Sequence, residues 1–324
     1  MLGEQLGKFF LFFVFFVGSC TLHAKVRVLT FHFNMPEFIE LQHKCLKTFL
    51  VDDYEMIVFN DSPFPHHEKN IHDVCQRLGI RCICYNQEWH FADPLNHQIK
   101  AWLDDPDVYS HLLFNREENR SVTLNQIARQ PSIRHSHVIQ YALDYFAYDH
   151  DDLVVIMDGD TFITREVHLK EIMKHVPLMG ALQSIWYEYM DYLWVPFIVF
   201  DPTRLPNLND LKFHPAVIEG KLHDTGSQTY HYIRDNPIVE YLGYEQDLSS
   251  NYLNYSVEDL LAIGFSGYEA WFLRTFPRNQ RVEFYMNHSV LHFGSSSFEL
   301  GGHKEKAMKL QEFLEQITYV NNEG

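Results

Sequence analysis

Two aspartates that follow an apolar run are the residues of this sequence best suited to hold a metal ion. Asp158 and Asp160 flank Gly159 and come directly after the apolar segment 154–157. Carboxylates two residues apart can face one cation, and Gly159 lets the backbone come close. Mg²⁺ and Mn²⁺ take oxygen ligands, typically one or two carboxylates together with substrate phosphates. The alternative is a solvated Asp-Gly turn that binds nothing.

The elements that would position these aspartates follow from the pattern of apolar residues. The run from Leu153 to Met157 predicts a buried strand, and apolar residues at helical spacing over 136–148 predict a helix before it. Ligands of open α/β sheets bind at the carboxyl ends of the strands. Both aspartates would therefore lie at the edge of the sheet where ligands bind.

The first part of the chain alternates strand-like and helix-like segments. We predict strands at 26–33, 54–60 and 81–85, and helices at 36–50 and 70–78. This β-α-β-α-β order indicates an α/β fold, with a mostly parallel central sheet and helices on both of its faces.

The second part of the chain is less regular in sequence. We predict a helix at 165–175, strands at 178–185 and 194–200, and an irregular region beyond Pro202 that forms the acceptor side of a cleft. No linker rich in Gly, Ser or Pro divides the chain. Residues 25–324 are therefore expected to form one domain.

Composition narrows the class of ligand. The 324 residues carry a formal net charge of −17, and 46% of them are hydrophobic, which is enough for a sizeable core. A polyanionic chain repels nucleic-acid backbones, so nucleic acid is not expected as a partner. A phosphate-bearing ligand would need a local positive charge, which a divalent cation could supply.

The N-terminus reads as a targeting segment. The apolar run 9–17 follows Lys8 and precedes small residues that end in Cys20. It is too short for a comfortable bilayer span of about 20 residues and fits the apolar region of a secretory signal. Residues 1–24 are predicted to be a cleaved signal peptide, a lipid-modified segment or a short membrane anchor through residues 9–20. Each option places the protein outside the cell or in the lumen of the secretory pathway.

Four cysteines follow that segment. Cys45, Cys75, Cys82 and Cys84 lack the spacing of a zinc site. Cys82 and Cys84 lie two residues apart in a strand-like stretch and would share a face. Disulfides in an exported chain and buried free thiols are both open.

The segment Leu153 to Ile163 resembles the aspartate-x-aspartate segment of glycosyltransferases with the GT-A fold. Residues 26–34 resemble the first strand of those enzymes, and 136–144 resemble the helix that leads into their metal-binding strand. The likeness covers about residues 26–200. It implies transfer of a sugar, as by a hexosyltransferase, from a UDP- or GDP-sugar to a sugar, glycan or protein acceptor.

The resemblance also implies roles for individual residues. Asp160 would ligate Mn²⁺ or Mg²⁺ directly, and Asp158 would reach the metal through water or touch the ribose. Asn60 and Asp61 resemble the end of the second strand that meets the nucleoside. His292 would be a third metal ligand near the C-terminus, with a hydrogen-bonded strand-end histidine as the alternative and His288 as a weaker candidate.

The acceptor hydroxyl needs a general base if the sugar is transferred with inversion. Asp224, which lies before Thr225 and Gly226, is the candidate for that base, and a helix N-cap is the alternative. Aromatic residues that cluster after a predicted strand suit sugar rings but are also common in cores. They are Trp186, Tyr187, Tyr189, Tyr192 and Trp194. Arg134 and His135 are expected at the surface rather than on phosphate.

Three other functions compete with this one. A sugar nucleotidyltransferase of the same fold should carry a Gly-rich basic loop after the first strand, but residues 30–36 contain no glycine, lysine or arginine. A metal-dependent hydrolase should show a compact histidine motif such as His-Glu-x-x-His, which the sequence lacks. A catalytically silent secreted binding protein of the same fold is the third alternative.

Overall fold

The computed structural model describes residues 25–62, 64–85, 114–115, 120–121, 131–185, 188–218, 221–244, 246–248, 254–276, 282–294 and 303–323. The predicted signal or anchor segment, residues 1–24, lies outside these ranges. Among the described residues, no helix combines the length and the apolar character needed to span a bilayer.

The strands are short and lie mostly in two sheets. They are β1 (Val26–His32), β2 (Tyr54–Asn60), β3 (Arg81–Cys84), β4 (Phe114–Asn115), β5 (Arg120–Ser121), β6 (Leu153–Asp158), β7 (Thr161–Ile163), β8 (Leu178–Ile185), β9 (Glu188–Phe200), β10 (Val217–Ile218), β11 (Lys221–Leu222), β12 (Tyr241–Tyr244), β13 (Gln246–Leu248), β14 (Glu283–Tyr285) and β15 (Val290–His292).

The larger sheet has seven strands in the order β12-β8-β9-β6-β1-β2-β3. β1 runs parallel to β2 and β6, β2 is parallel to β3, and β8 is parallel to β12, whereas β9 runs antiparallel to both of its neighbours. The α/β fold with a mostly parallel central sheet is therefore confirmed.

Helices cover both faces of this sheet. They are α1 (Pro36–Phe49), α2 (Pro65–Leu78), α3 (Pro131–Phe146), α4 (Leu169–Met173), α5 (Thr229–Asp235), α6 (Val257–Ala262), α7 (Gly267–Thr275) and α8 (His303–Glu323), with a short 3₁₀ helix at Leu208–Asp210. α1, α2, α7 and α8 pack into one apolar cluster, and α3 and α5 pack into the other.

Coverage on both faces explains the apolar sequences of the central strands. Val28 and Val155 point into one cluster, and Leu29 and Ile156 point into the other. All four side chains are at most 1% exposed. A strand buried on both sides has no solvent face and therefore reads as a continuous apolar run.

A four-stranded antiparallel sheet, in the order β13-β14-β15-β7, packs beside the larger one. β7 follows β6 almost directly, so the turn between them carries the chain from one sheet into the other. The other three strands of the smaller sheet come from residues beyond 245. The two predicted metal-binding regions therefore meet where the two sheets join.

Two predictions need correction. The helix expected over 165–175 is only α4, because Val167 forms a parallel bridge with Leu50 and so keeps the chain extended up to that point. The region beyond Pro202, which we expected to be irregular, contributes β12 to the main sheet and three strands to the smaller one. Strands of two to four residues are too short to show a period in sequence.

Candidate active site

Asp158 ends β6, and a tight turn leads from it through Asp160 into β7. This turn lies against β1, where Phe31 is paired with Asp158. A Cβ atom on Gly159 would lie 2.3 Å from the carbonyl oxygen of Phe31, closer than any real Cβ contact. The position therefore needs glycine because the backbones of β1 and the turn approach each other closely.

The smaller sheet brings His292 to this turn. β15 pairs with β7 so that His292 lies opposite Thr161, and the backbone N–H of Phe293 donates to the carbonyl oxygen of Asp160 at 2.9 Å. One side-chain ligand atom from each of Asp158, Asp160 and His292 lies within 4.8 Å of the other two. The structure thus brings together the three residues predicted to hold the metal.

The donor set fits a divalent cation of the Mn²⁺ or Mg²⁺ type. Two carboxylates and one imidazole supply hard oxygen ligands and a nitrogen ligand. Ligand atoms about 2.1 Å from one ion lie at most about 4.2 Å apart. The observed spacing is close to that limit, so only small side-chain movements would be needed.

A buried carboxylate that the sequence analysis missed holds the imidazole of His292 in place. Nδ1 of His292 lies 2.8 Å from Oε2 of Glu283, and the hydroxyl of Tyr285 donates to the same oxygen at 2.9 Å. Nε2 of His292 lies 3.4 Å from Oδ1 of Asp160. Nδ1–H therefore donates to Glu283 while Nε2 faces Asp160. Carboxylates that accept from the other ring nitrogen orient metal-binding histidines in this way.

Glu283 did leave one signal in the sequence. It is the lone charged residue of its strand, between Val282 and Phe284, and its side chain is 1% exposed. In the hairpin it is paired with His292 across β14 and β15. A charged residue inside an apolar strand, near a candidate metal ligand, would have indicated a carboxylate that supports that ligand.

The charges around His292 control its protonation. Burial lowers the pKa of His292, but Asp160 and Glu283 outweigh burial and raise that pKa to about 10. Without a cation, the imidazole is therefore protonated near neutral pH and sits between carboxylates. A metal ion that binds Nε2 takes the place of this proton.

Gln42, which the sequence analysis also missed, holds the aspartate turn in place through hydrogen bonds to its backbone. Its Nε2 donates to the carbonyl oxygens of Asp158 at 2.6 Å and Thr161 at 2.9 Å. Its Oε1 accepts from Thr30 at 2.8 Å and lies 2.9 Å from Nε2 of His32. Gln42 is fully buried on the apolar face of α1, where a lone amide indicates a hydrogen-bonding task.

Arg134 and His135, expected at the surface, are instead partly buried and paired with carboxylates. Nε of Arg134 lies 3.0 Å from Oδ2 of Asp61, and Nε2 of His135 lies 2.7 Å from Oδ1 of Asp158. Burial lowers the pKa of His135, but Asp158 outweighs burial, so the net shift is upward. The start of α3 is thus tied to the ends of β2 and β6.

The predicted nucleoside-binding residues follow β2. Asp61 is 4% exposed, and its partner Arg134 packs its guanidinium 3.5 Å from the ring centre of Phe33. Asn60 is 1% exposed, and its Nδ2 donates to the carbonyl oxygen of Glu68 at 2.9 Å. Asn60 therefore shapes the turn before α2, and the binding of a nucleoside by either residue stays a prediction.

Asp224 lies in the loop between β11 and α5. It is exposed, and its Oδ1 accepts from its neighbour Thr225 at 2.7 Å. The N-cap alternative is wrong, because α5 begins after Gln228. Among the described residues, the cluster with metal-ligand spacing is Asp158, Asp160 and His292. The role of Asp224 as a base stays a prediction.

The loop that carries Asp224 nonetheless packs on β9. Gly226 has φ 93°, and a Cβ there would lie 2.3 Å from the carbonyl oxygen of Leu193. The next residue of β9, Trp194, meets the ring of His292 edge-on with 5.2 Å between ring centres. The predicted aromatic cluster thus places Trp194 beside the candidate metal site, while Trp186 and Tyr187 lie outside the described residues.

His288, the weaker candidate ligand, serves packing. Its ring stacks on Phe265 with centres 3.8 Å apart, and its Nε2 lies 2.9 Å from the carbonyl oxygen of Ile263. It belongs to a turn in which Met286, Asn287 and His288 all have positive φ. This turn closes the hairpin that carries Glu283 and His292.

Comparisons with known proteins give matches among solved structures alone. No protein-family model matches the chain, and no curated protein matches it in sequence. Among the solved structures that it resembles are glycosyltransferases of the GT-A fold, the class named by the sequence resemblance.

Three of these structures show the extent of the likeness. An active-site mutant of LgtC is 12% identical, with 88% of this chain and 95% of that chain covered and a TM-score of 0.45. The galactosyltransferase LgtC in complex with donor and acceptor sugar analogs is 10% identical, with 90% and 95% covered and a TM-score of 0.42. The mannosyltransferase PcManGT from Pyrobaculum calidifontis, in complex with GDP-Man and Mn²⁺, is 11% identical, with 68% and 55% covered and a TM-score of 0.38.

Proposed function

We propose that this protein is a metal-dependent glycosyltransferase that moves a sugar from a nucleoside-diphosphate sugar to an acceptor hydroxyl. The observation that supports it is the cluster of Asp158, Asp160 and His292, whose ligand atoms lie within 4.8 Å of one another at the carboxyl end of β6.

The cluster has the chemistry that a diphosphate donor needs. A bound divalent cation would neutralise the diphosphate and act as a Lewis acid on the leaving group. In a chain of net charge −17, the donor's phosphates need such a local positive charge. Asp158, Asp160 and His292 would hold that cation at the edge of the sheet where α/β proteins bind ligands.

The surrounding residues would keep the site ordered before the donor arrives. Gln42 holds the backbone on both sides of the aspartate turn, and Glu283 holds the imidazole of His292. His135 binds one oxygen of Asp158 and so limits the rotation of that carboxylate. Ligands that are already oriented lose less conformational entropy when the ion binds.

Two further assignments belong to the proposal. Asp61, next to Arg134, would contact the nucleoside, and Asp224 would be the general base if the reaction inverts the anomeric centre.

A secreted or lumenal location, directed by residues 1–24, is also part of the proposal. The enzyme would then act in a compartment that contains nucleotide-sugar, such as the lumen of a eukaryotic secretory pathway or a host cell.

A thermal-shift panel tests the donor class. The protein is heated with UDP, GDP or CMP and their sugars, each with Mn²⁺ and with EDTA. A ligand present at 100 times its Kd stabilises the native state by about 2.7 kcal/mol. We expect a Mn²⁺-dependent shift with one nucleoside diphosphate and its sugar, followed by transfer or slow hydrolysis of that sugar.

Matched variants locate the effect. Asp160→Asn should abolish the Mn²⁺-dependent shift, whereas Asp151→Asn, an exposed carboxylate before β6, should keep it. A shift with no turnover on any acceptor or water would favour the silent binding protein. Stabilisation by nucleoside triphosphates and sugar phosphates would favour the nucleotidyltransferase, and full turnover by Asp160→Asn would refute the proposed metal site.

A further inference from the structure

A buried polar network links β1 and α1 to the turn between β6 and β7. Thr30 and His32 lie two residues apart on β1 and therefore share one face of that strand. The same face carries Val28, which packs into the apolar cluster that contains α1. The side chains of Thr30, His32 and Gln42 are at most 1% exposed. Polar side chains thus replace apolar ones where this face reaches the carboxyl end of the sheet.

The hydrogen bonds of Gln42 fix the direction in which its amide points. Its nitrogen lies 2.6 Å from the carbonyl oxygen of Asp158 and 2.9 Å from that of Thr161. Carbonyl oxygens only accept, so this end of the amide is the NH₂ group and both of its hydrogens are used. The oxygen of the amide therefore faces β1, where it can only accept.

Thr30 and His32 supply the two donors that this oxygen can accept. The hydroxyl of Thr30 donates to Oε1 of Gln42 at 2.8 Å, and Nε2 of His32 lies 2.9 Å from the same oxygen. Because an amide oxygen carries no hydrogen, Nε2 must be a protonated nitrogen of His32. All four hydrogen-bonding positions of the amide are thus occupied, and a flip of Gln42 would place its oxygen against the carbonyl oxygens of the turn.

We propose that Thr30 and His32 are positioning residues that set the geometry of the metal site through Gln42. Each of them holds the oxygen end of the amide, and the nitrogen end then holds the backbone on both sides of Asp160. That backbone directs the carboxylate of Asp160 towards His292. The inference rests on the metal site of the proposed function.

A purely structural role would be served as well by apolar side chains. Burial of polar groups costs free energy, and apolar residues of similar volume often give equal stability. A fully hydrogen-bonded network instead selects one arrangement of the backbone, because a shift breaks several hydrogen bonds together. A metal site needs one such arrangement, since its ligand atoms must converge on a single ion.

Isothermal titration calorimetry with Mn²⁺ tests the role of Thr30. Thr30→Val keeps the shape of the side chain but has no hydroxyl, so Oε1 of Gln42 loses one donor and the amide is held less firmly. We expect Mn²⁺ affinity to fall about tenfold. Thr30→Ser is the matched control, because it keeps the hydroxyl, and should bind Mn²⁺ within about twofold of the parent. Equal affinity in Thr30→Val and a Mn²⁺-binding parent would overturn the proposal.

A double-mutant cycle tests whether the effect passes through Gln42. Gln42→Met removes the amide, so Thr30→Val added to it should not weaken Mn²⁺ binding further, and losses that add would contradict the proposal. His32→Gln, which keeps an N–H donor, should bind Mn²⁺ more tightly than His32→Met, which has none. Should Gln42→Met fail to fold, the comparison of Thr30→Val with Thr30→Ser still decides.

Amide hydrogen exchange separates this inference from the proposed function, because it needs neither metal nor turnover. Peptides that cover residues 158–163 should exchange faster in Thr30→Val than in Thr30→Ser, whereas peptides that cover α5 should exchange equally. This result with a parent chain that binds no Mn²⁺ would refute the proposed metal site and keep the link from Thr30 to the turn. Equal exchange of residues 158–163 in the two variants would overturn the inference.

Discussion

At the scale of single residues, the charged side chains of the candidate site are held in place by hydrogen bonds to fully buried polar residues. Glu283 and Gln42 are not themselves predicted to bind the metal or the donor, yet one orients His292 and the other holds the aspartate turn in place. Their side chains are at most 1% exposed. We therefore expect supporting residues to matter nearly as much as the metal ligands.

The substitution Glu283→Gln tests the support of His292. The amide is neutral and no longer attracts the Nδ1 proton strongly, so the orientation and basicity of the imidazole should both fall. Mn²⁺ affinity, measured by isothermal titration calorimetry, should drop about 10- to 100-fold. Tyr285→Phe, which removes one hydrogen bond to Glu283, should have a smaller effect; equal affinity in Glu283→Gln and parent would refute the role.

The pKa of His292 sets a pH dependence for metal binding. In the metal-free protein this pKa is raised to about 10, so the cation must displace a proton below that pH. Mn²⁺ affinity should therefore rise with pH, by about tenfold per unit between pH 7 and 9. Calorimetry in buffers of different ionisation enthalpy should show about one proton released per ion.

The same shift has the opposite consequence for the metal-free fold. A raised pKa in the folded state stabilises that state fully below about pH 6.5, and this contribution is lost as pH rises towards 10.

The control for the pH dependence of Mn²⁺ binding is the substitution His292→Asn, which removes the titrating group. A pH slope of Mn²⁺ affinity that persists in His292→Asn would show that another group releases the proton.

At the scale of elements, the turn between β6 and β7 joins the two sheets and has little room for change. It packs against β1, and its glycine touches the backbone there. Backbone cannot move aside as a flexible side chain can. The geometry of the metal site is therefore coupled to the packing of the central strands.

Gly159→Ala tests that coupling. The added methyl group would lie 2.3 Å from the carbonyl oxygen of Phe31. We expect the free energy of unfolding to fall by more than about 2 kcal/mol, measured by urea denaturation, together with loss of Mn²⁺ binding. Gly267→Ala is the matched control, because nothing lies within 4 Å of its Cβ position; equal stability of the two variants would contradict the close approach.

At the scale of the whole molecule, the smaller sheet must stay docked for His292 to reach the aspartates. An ion pair holds this arrangement: Arg165 donates from Nε to Oε1 and from a second nitrogen to Oε2 of Glu269, at 2.8 and 2.6 Å. The same guanidinium donates to the carbonyl oxygens of Gly264 and Asn287. One side chain after β7 thus ties α7 to the β14–β15 hairpin.

Arg165→Met should destabilise the protein by about 3 kcal/mol, because Glu269 is 3% exposed and would be left as an unpaired buried charge. Thermal unfolding measures the loss. The double variant Arg165→Met with Glu269→Leu should recover much of it, since no charge then stays buried. A double variant as unstable as the single one would mean that the lost contacts to Gly264 and Asn287 dominate.

The sequence alone determined the parts of this protein that depend on neighbouring residues. Apolar runs identified the central strands, and the aspartates stood at the end of the most apolar one. The parallel order followed from alternating strands and helices, because a crossover connection between strands leaves few topologies. These features depend on residues that are close together in the chain, so a short stretch of sequence is enough to predict them.

Tertiary structure alone decided which distant residues join the aspartates. His292 was a candidate on resemblance, but its pairing with β7 and its contact with Glu283 depend on a sheet of very short strands. Gln42 read as an ordinary helix residue, and Arg134 and His135 read as surface residues, until the fold placed them against the carboxyl edge. Contacts between segments far apart in the chain follow from how whole elements pack, and one sequence carries no local sign of that packing.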